Sequence, residues 1–263
     1  MITIGTDPEV FLIDANDRLV SVVGRLGGTK EIPKPIGKGC AVQEDNVMAE
    51  FNTPPCTTVD HMWESINRCR SYIEGTTGLK TLVKASAIFD EEQLKHKQAQ
   101  IFGCDPHWNV YTEEQESPDC VGSLMRSCGG HVSIGYPEPK NMHEKLSIFI
   151  RNLDLFLGVP SVLIDGDVRR RETYGKAGVF RIKPFGIEYR TLSNFWIDKR
   201  QHVEYIFDGV LKAYDWTMKG KSLNPQEQQI VRDTINHSDI EAAEHFVREY
   251  NLYNQQPKIA LTA

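Results

Sequence analysis

No uninterrupted apolar run in the sequence approaches the ~20 residues that span a bilayer. The opening MITIGTDPEV also lacks the basic and apolar regions of a secretory leader, so the chain is expected to stay in the cytosol with no membrane partner. An excess of positive charge is missing as well: 36 Asp and Glu stand against 30 Lys and Arg, for a net charge of −6. That balance excludes the basic field behind non-specific nucleic-acid binding and points to a small or peptidic partner. The six cysteines (Cys40, Cys56, Cys69, Cys104, Cys120, Cys128) contain no Cys-x2-Cys pair. At 263 residues the chain needs no disulfide scaffold, so reduced and mostly buried thiols are expected. Repeats, low-complexity tracts and a Pro/Ser-rich linker are absent, leaving a Gly/Pro/Lys loop at 24–39 and an acidic stretch at 113–119. One domain over 1–263 is the simplest organisation. No Gly-x-Ser-x-Gly elbow appears, and GRLGGTKE fails the Gly-x4-Gly-Lys-Ser/Thr phosphate-loop pattern, with Pro33 opposing the helix that should follow.

What is present is 40% apolar residues, ample for a sizeable core. ITIGT, EVFLID, RLVSVVG and VMAEFN read as strands, after which Thr57, Thr58 and Asp60 offer N-caps to a helix using Trp63, Ile66, Tyr72 and Ile73. A second helix is predicted over 142–157, where Leu146, Phe149, Ile150, Leu153 and Phe156 recur at helical spacing and GVP supplies a stop. Residues 161–196 again read as strands, and 198–217, 225–237 and 239–250 as helices, with Asn224-Pro225 and Ser238 as starts. The predicted class is α+β, a mostly antiparallel sheet backed by helices, sheet-rich over 1–196 and helical over 197–263.

Four strand-like segments carry charge on one face. In GTDPEVF, Asp7 and Glu9 share a side; in DNVMAEFN, Glu50 lies opposite Val47, Ala49 and Phe51; in GGHVSIGY, His131 and Ser133 alternate with Val132, Ile134 and Tyr136; and in GIEYR, Glu188 and Arg190 alternate with Ile187 and Tyr189. Taken singly, each reads as the wet side of an antiparallel sheet. Their recurrence suggests that neighbouring strands gather Glu9, Glu50, Glu188 and His131 around one volume suited to hard cations and phosphate. Just before Glu188, DVRRRETYGKAGVFRIKP concentrates Arg169, Arg170, Arg171, Lys176, Arg181 and Lys183 in an otherwise acidic chain. Guanidinium forks match phosphate oxygens, and Gly175 and Gly178 would let this stretch bend over a ligand. A competing reading takes the Cys-x2-His units Cys104/His107 and Cys128/His131 as a zinc site, although continuous extension over 128–136 would point Cys128 and His131 to opposite faces. The histidines at 61, 96, 143, 202, 237 and 245 have no evident partners.

The order of these segments resembles the glutamine synthetase and γ-glutamylcysteine synthetase superfamily, most closely its phage-type carboxylate–amine ligases (amidoligases). The resemblance spans about residues 3–196 and rests on GTDPEVFL, DNVMAEFNTPP, GGHVSIGY and GIEYRTLSNFW. It implies a sheet curved into a funnel, ATP as a co-substrate, and magnesium on Glu9, Glu50, Glu188 and His131. It further implies Arg190 as a catalytic contact to the γ-phosphate, with His131 and Arg171 beside it, and Arg169, Arg171, Arg181 and Lys183 as further nucleotide contacts. The reaction implied phosphorylates a small-molecule or peptide carboxylate and lets an amine displace the phosphate, in the host cytoplasm if the gene is a phage's. The chain departs from larger relatives in reading Asp7-Pro8-Glu9 for Glu-x-Glu and Ser133 two residues after His131. Two other functions remain open at this level: a nucleotide-binding or virion-associated protein without turnover, and a zinc hydrolase using His107 and His131. Substrates and oligomeric state are not specified by any motif.

Overall fold

A computed structural model describes residues 1–101, 106–116, 123–137, 142 and 144–252. Cys104, Cys120, His143, positions 117–119 of the acidic stretch and the end of the tail beyond 252 lie outside the described residues. The strands, in chain order, are β1 (Thr3–Thr6), β2 (Glu9–Ile13), β3 (Leu19–Val20), β4 (Lys34–Gly37), β5 (Cys40–Asp45), β6 (Met48–Asn52), β7 (Lys80–Leu82), β8 (Ser86–Ile88), β9 (His107–Asn109), β10 (Gln115–Glu116), β11 (Met125–Ser127), β12 (Val132–Gly135), β13 (Val179–Lys183) and β14 (Gly186–Tyr189). The helices are α1 (Val59–Thr77), α2 (Lys97–Gln100), α3 (Leu146–Ile164), α4 (Arg170–Thr173), α5 (Arg200–Met218), α6 (Pro225–His237) and α7 (Ile240–Glu249).

Every pairing is antiparallel. One sheet runs β1-β12-β14-β13-β9-β10, a second runs β3-β2-β6-β5-β4 with β7 also on β2, and β8 pairs β11. The two large sheets meet where β1 passes into β2 through Asp7-Pro8. There Ile4 bridges Cys56, Thr53 N donates to Thr6 O at 3.0 Å, and Phe51 N donates to Pro8 O at 3.2 Å. Proline has no N–H to add to a ladder, so it suits the joint between two strands. The result is a strongly curled antiparallel sheet with a helical region towards the C-terminus.

Alternation decides which face is covered. Ile4, Val132, Ile134, Ile187 and Tyr189 are almost wholly buried and join Phe149, Ile150 and Leu153 of α3 in one apolar cluster. α1 begins at the Thr58 N-cap, which accepts from His61 N at 3.3 Å, and ends on Gly78 at φ 70°; it buries Met62, Ile66, Cys69 and Ile73, while Trp63 and Tyr72 are half-buried. Cys40, Cys56, Cys69 and Cys128 are free and buried.

The structure corrects several boundaries. GVP does not stop the second helix: α3 loosens into a π-turn over Asp154–Gly158 and resumes through Pro160 to Ile164. A π-turn leaves carbonyls without their usual donors, and side chains supply them here, the Tyr205 hydroxyl to Leu157 O and Ser161 Oγ to Gly158 O at 2.6 Å. Pro160 falls at the start of the resumed α-segment, where a missing N–H costs little. By length and apolarity α3 could cross a membrane, but 72% of it is buried inside the fold, where it packs on α5. Residues 161–196 are accordingly only partly strand, and RLVSVVG contributes only Leu19–Val20. Ser238 closes α6 in the left-handed region at φ 54° rather than starting α7, which Asp239 caps by accepting from Ala242 N at 3.0 Å.

Phe149 is fully buried between the rings of Tyr136 and Tyr214, both edge-on. Phe149→Ala is expected to cost about 3–5 kcal/mol in denaturant unfolding. A loss under 1 kcal/mol (about the size of a surface change) would place α3 outside the cooperative core.

Candidate active site

The charged face of β14 lies in the middle of the first sheet, because Glu188 pairs with Ser133 of β12 on one side and Arg181 of β13 on the other. Glu188 is only 1% exposed, and a carboxylate so buried needs cationic partners. Lys183 Nζ lies 2.6 Å from its Oε2 and Arg181 Nη1 3.6 Å from its Oε1, while Arg190 Nη1 contacts Oε1 directly. Arg190 Nη1 also sits 3.2 Å from His131 Nδ1, which lies 3.6 Å from Asp7 Oδ1 and 3.7 Å from Glu188 Oε1. Asp7, His131 and Glu188 therefore present one set of ligand atoms, all within 4.8 Å of one another.

A second set is formed by Glu9, Asp45 and Glu50, again with ligand atoms within 4.8 Å. Antiparallel register makes it: Glu9 of β2 pairs directly with Glu50 of β6, which pairs with Gln43 of β5, and Gln43 Nε2 donates to Glu50 Oε2 at 2.8 Å. Asp45 lies two residues along β5 from Gln43, just before a tight turn whose Asn46 adopts φ 54°. Glu9 is held on both sides of its peptide, its N–H donating to Gly129 O at 3.1 Å and its Oε2 accepting from Gly129 N at 2.7 Å. Glycine is required there by space alone: a Cβ on Gly129 would stand 2.6 Å from His131 Nε2, and one on Gly130 2.2 Å from Ser193 O.

The electrostatics of the two sets are opposite. Burial, then repulsion from Asp45, pushes the Glu9 carboxyl up to about 8, and burial with repulsion from Asp7, Glu9 and Asp45 pushes Glu50 well up. Burial also works against ionisation of Glu188, but His131, Arg190 and Lys183 outweigh it and hold that carboxyl at about 2. Burial and Arg190 lower the His131 imidazole, and burial followed by Arg190 and Arg181 takes His107 down to about 4. Crowded half-buried carboxylates with no gain from ionising fit a hard divalent cation, whose oxygen preference matches this donor set. The cationic set fits an anion instead.

The structure thus brings together Glu9 with Glu50, and Glu188 with His131, Arg190, Arg181 and Lys183. It does not bring Arg171 or Arg169 to them. Arg171 is buried between helices, its guanidinium donating to Ser161 Oγ and Ser238 Oγ, both at 3.1 Å, which ties α3 to the α6–α7 junction. Arg169 is exposed and paired with Asp167 at 3.4 Å. Arg170 instead is buried and clamps the end of β14 by donating to Thr191 O at 3.0 Å. Cys128 packs with Phe11, Val47 and Phe89 in a separate apolar cluster, and the metal-type groupings among the described residues contain no cysteine. Asp45 and Gln43 are site residues that sequence reasoning passed over, and His107 was singled out there only as a zinc ligand. Asp45 had a signal: a two-residue Asn46-Val47 turn pairs 45 with 48 and 43 with 50, which puts all four on one face. Nothing in the sequence tied His107 to the arginines, since only the tertiary pairing of β9 with β13 brings it near Arg181 and Arg190.

A carboxyl raised on folding, as Glu9 is, favours the folded state below its ordinary value of 4.5 and withdraws that contribution as pH rises through about 8. In metal-free buffer the melting temperature is therefore expected to fall across that window, less steeply for Glu9→Gln, and Mg²⁺ is expected to recover it in the wild type only. Identical pH profiles for the two proteins, followed by calorimetry, would contradict the clustering.

Residues 124–224 match the sequence model of the family described as "Phage phiEco32-like COOH.NH2 ligase-type 2". No curated protein matches the chain. The matched segment carries His131, the Arg169–Lys183 stretch, Glu188 and Arg190, whereas Glu9, Asp45, Glu50 and His107 lie before it. Over that segment, somewhat over a third of the chain, the protein is similar to the phage-type carboxylate–amine ligases.

Proposed function

We propose that the protein joins a carboxylate to an amine at the expense of ATP, with Mg²⁺ held on its sheet carboxylates. The observation that carries this reading is the juxtaposition of an acidic trio, Glu9, Asp45 and Glu50, with a cationic group, Arg190, Arg181 and Lys183, in one curled sheet. A carboxylate is unreactive towards amines. Its oxygen attacks the γ-phosphorus, ADP leaves, and the amine then attacks the acyl carbon and expels phosphate. Glu9, Asp45 and Glu50 would hold Mg²⁺, which would supply charge neutralisation to phosphoryl oxygens. Arg190, Arg181 and Lys183 orient the γ-phosphoryl group and take up charge building on it, with Glu188 fixing their positions. His131, its imidazole lowered by burial and Arg190 against the pull of Asp7 and Glu188, stands between those two carboxylates within reach of both. The co-substrate suits a cytoplasmic protein acting on small molecules or peptides.

Incubating the protein with ATP, Mg²⁺ and a metabolite extract should release ADP and phosphate and yield, by mass spectrometry, a product formed by loss of water between two pools. Nucleotide binding without ADP release across such extracts would favour a binding protein, and copurifying zinc would favour a hydrolase.

Arg190→Lys separates the roles of charge and geometry. An ammonium cannot reproduce a guanidinium fork, so a loss of about 2–4 kcal/mol in transition-state stabilisation is expected, roughly 30- to 1000-fold in kcat/KM, with little change in thermal unfolding. Unchanged kinetics would remove Arg190 from the phosphate.

A further inference from the structure

One fully buried carboxylate, outside the charged cluster, touches the strands that build it. Asp154 opens the π-turn of α3 and is 0% exposed. Its Oδ1 accepts from the Tyr189 hydroxyl at 2.7 Å and from Gly178 N at 3.1 Å. Tyr189 is the residue between Glu188 and Arg190, and its side chain crosses to the opposite face of β14 from theirs. Gly178 enters β13, the strand of Arg181 and Lys183, at φ 78°. Its own carbonyl accepts from Val110 N at 3.0 Å, just past the β9 strand that carries His107, and Arg190 N donates to Val179 O at 3.0 Å. Space confirms the fit: a Cβ on Gly158, the last residue of the π-turn, would stand 3.0 Å from the Tyr189 hydroxyl.

We infer that Asp154 and Tyr189 form a positioning pair, in which a π-turn carboxylate sets the placement of Arg190, and through Gly178 of the β13 cations, for binding a nucleotide triphosphate. The pair touches no reacting atom. It works by fixing the backbone on either side of the residues that do, since a site loosened by even 1 Å loses its preorganised contacts. This rests on the ATP-dependent reading given above.

The test is a double-mutant cycle on Tyr189→Phe and Arg190→Lys, reading the affinity for the Mg²⁺ complex of a non-hydrolysable ATP analogue by calorimetry, beside melting curves. Tyr189→Phe removes one oxygen atom from a packed ring. It is expected to weaken binding about tenfold in the wild-type background and less than about twofold once Arg190 is Lys, because the hydroxyl acts through that arginine. Asp154→Asn should show the same loss and the same non-additivity, and serves if the phenylalanine variant folds poorly. A purely structural role predicts a lower melting temperature with binding per folded molecule unchanged, or equal losses in both backgrounds; either result overturns the inference. A wild-type protein that does not bind the analogue overturns the ligase reading and, with it, this inference, whereas wild-type binding with an unaffected Tyr189→Phe sinks the inference alone.

Discussion

The buried ion cluster on Glu188 is the constraint on which the site depends. A carboxylate in mid-sheet, with one cation from its own strand and two from the next, is stable only if all four side chains keep their places, since removing any partner leaves uncompensated buried charge. The cross-strand register that sets Arg181 opposite Glu188 also sets Ile182 opposite Ile187 and Phe180 opposite Tyr189, so the charged face and the apolar face are fixed together. A slip of β13 by one residue would turn Arg181 and Lys183 to the apolar face.

Against that saturated group stands the trio of Glu9, Asp45 and Glu50, where folding concentrates like charge instead of neutralising it. The two halves adjoin at Asp7-Pro8-Glu9. The joint between the large sheets thus hands Asp7 to the His131 side and Glu9 to the acidic side, and Glu50 is influenced by both. Such an arrangement is unfavourable for stability taken alone. Under the proposed function it is preorganisation, in which repulsion among carboxylates would be relieved by a cation and the neighbouring guanidinium groups would meet an anion. The family match over residues 124–224 covers the cationic half, and the acidic half comes from the chain before it. Neither half is a complete site, and only the curl of the sheet makes them adjacent.

Much of this was legible from residue order, for a physical reason. Strand alternation is a local property, so Glu50 opposite Ala49 and Phe51, and Glu188 with Arg190 opposite Ile187 and Tyr189, follow from period two without any knowledge of neighbours. The arginine-rich stretch shows where locality fails. Its six cations look equivalent in sequence, yet one short helix and one turn send Arg171 between α3 and the α6–α7 junction, leave Arg169 in solvent, and deliver only Arg181 and Lys183 to the cluster. The GVP stop failed for a related reason: Pro160 falls in the first turn of the resumed α-segment, where a missing donor costs little.

By itself the sequence determined the alternating faces, the helical periodicities, the caps at Thr58 and Asn224, and the chemical character of each charged strand, because these depend on neighbours within a few residues. Tertiary structure alone decided which charges meet. Asp45 joins Glu9 through the pairing of β5, β6 and β2, and His107 reaches Arg190 through β9 on β13. Cys128 is turned into an apolar cluster away from His131, and Asp154 reaches Tyr189 across 35 residues. Distances between residues far apart in the chain are set by sheet register and helix packing, and those follow from the burial of the whole apolar face rather than from any segment of it.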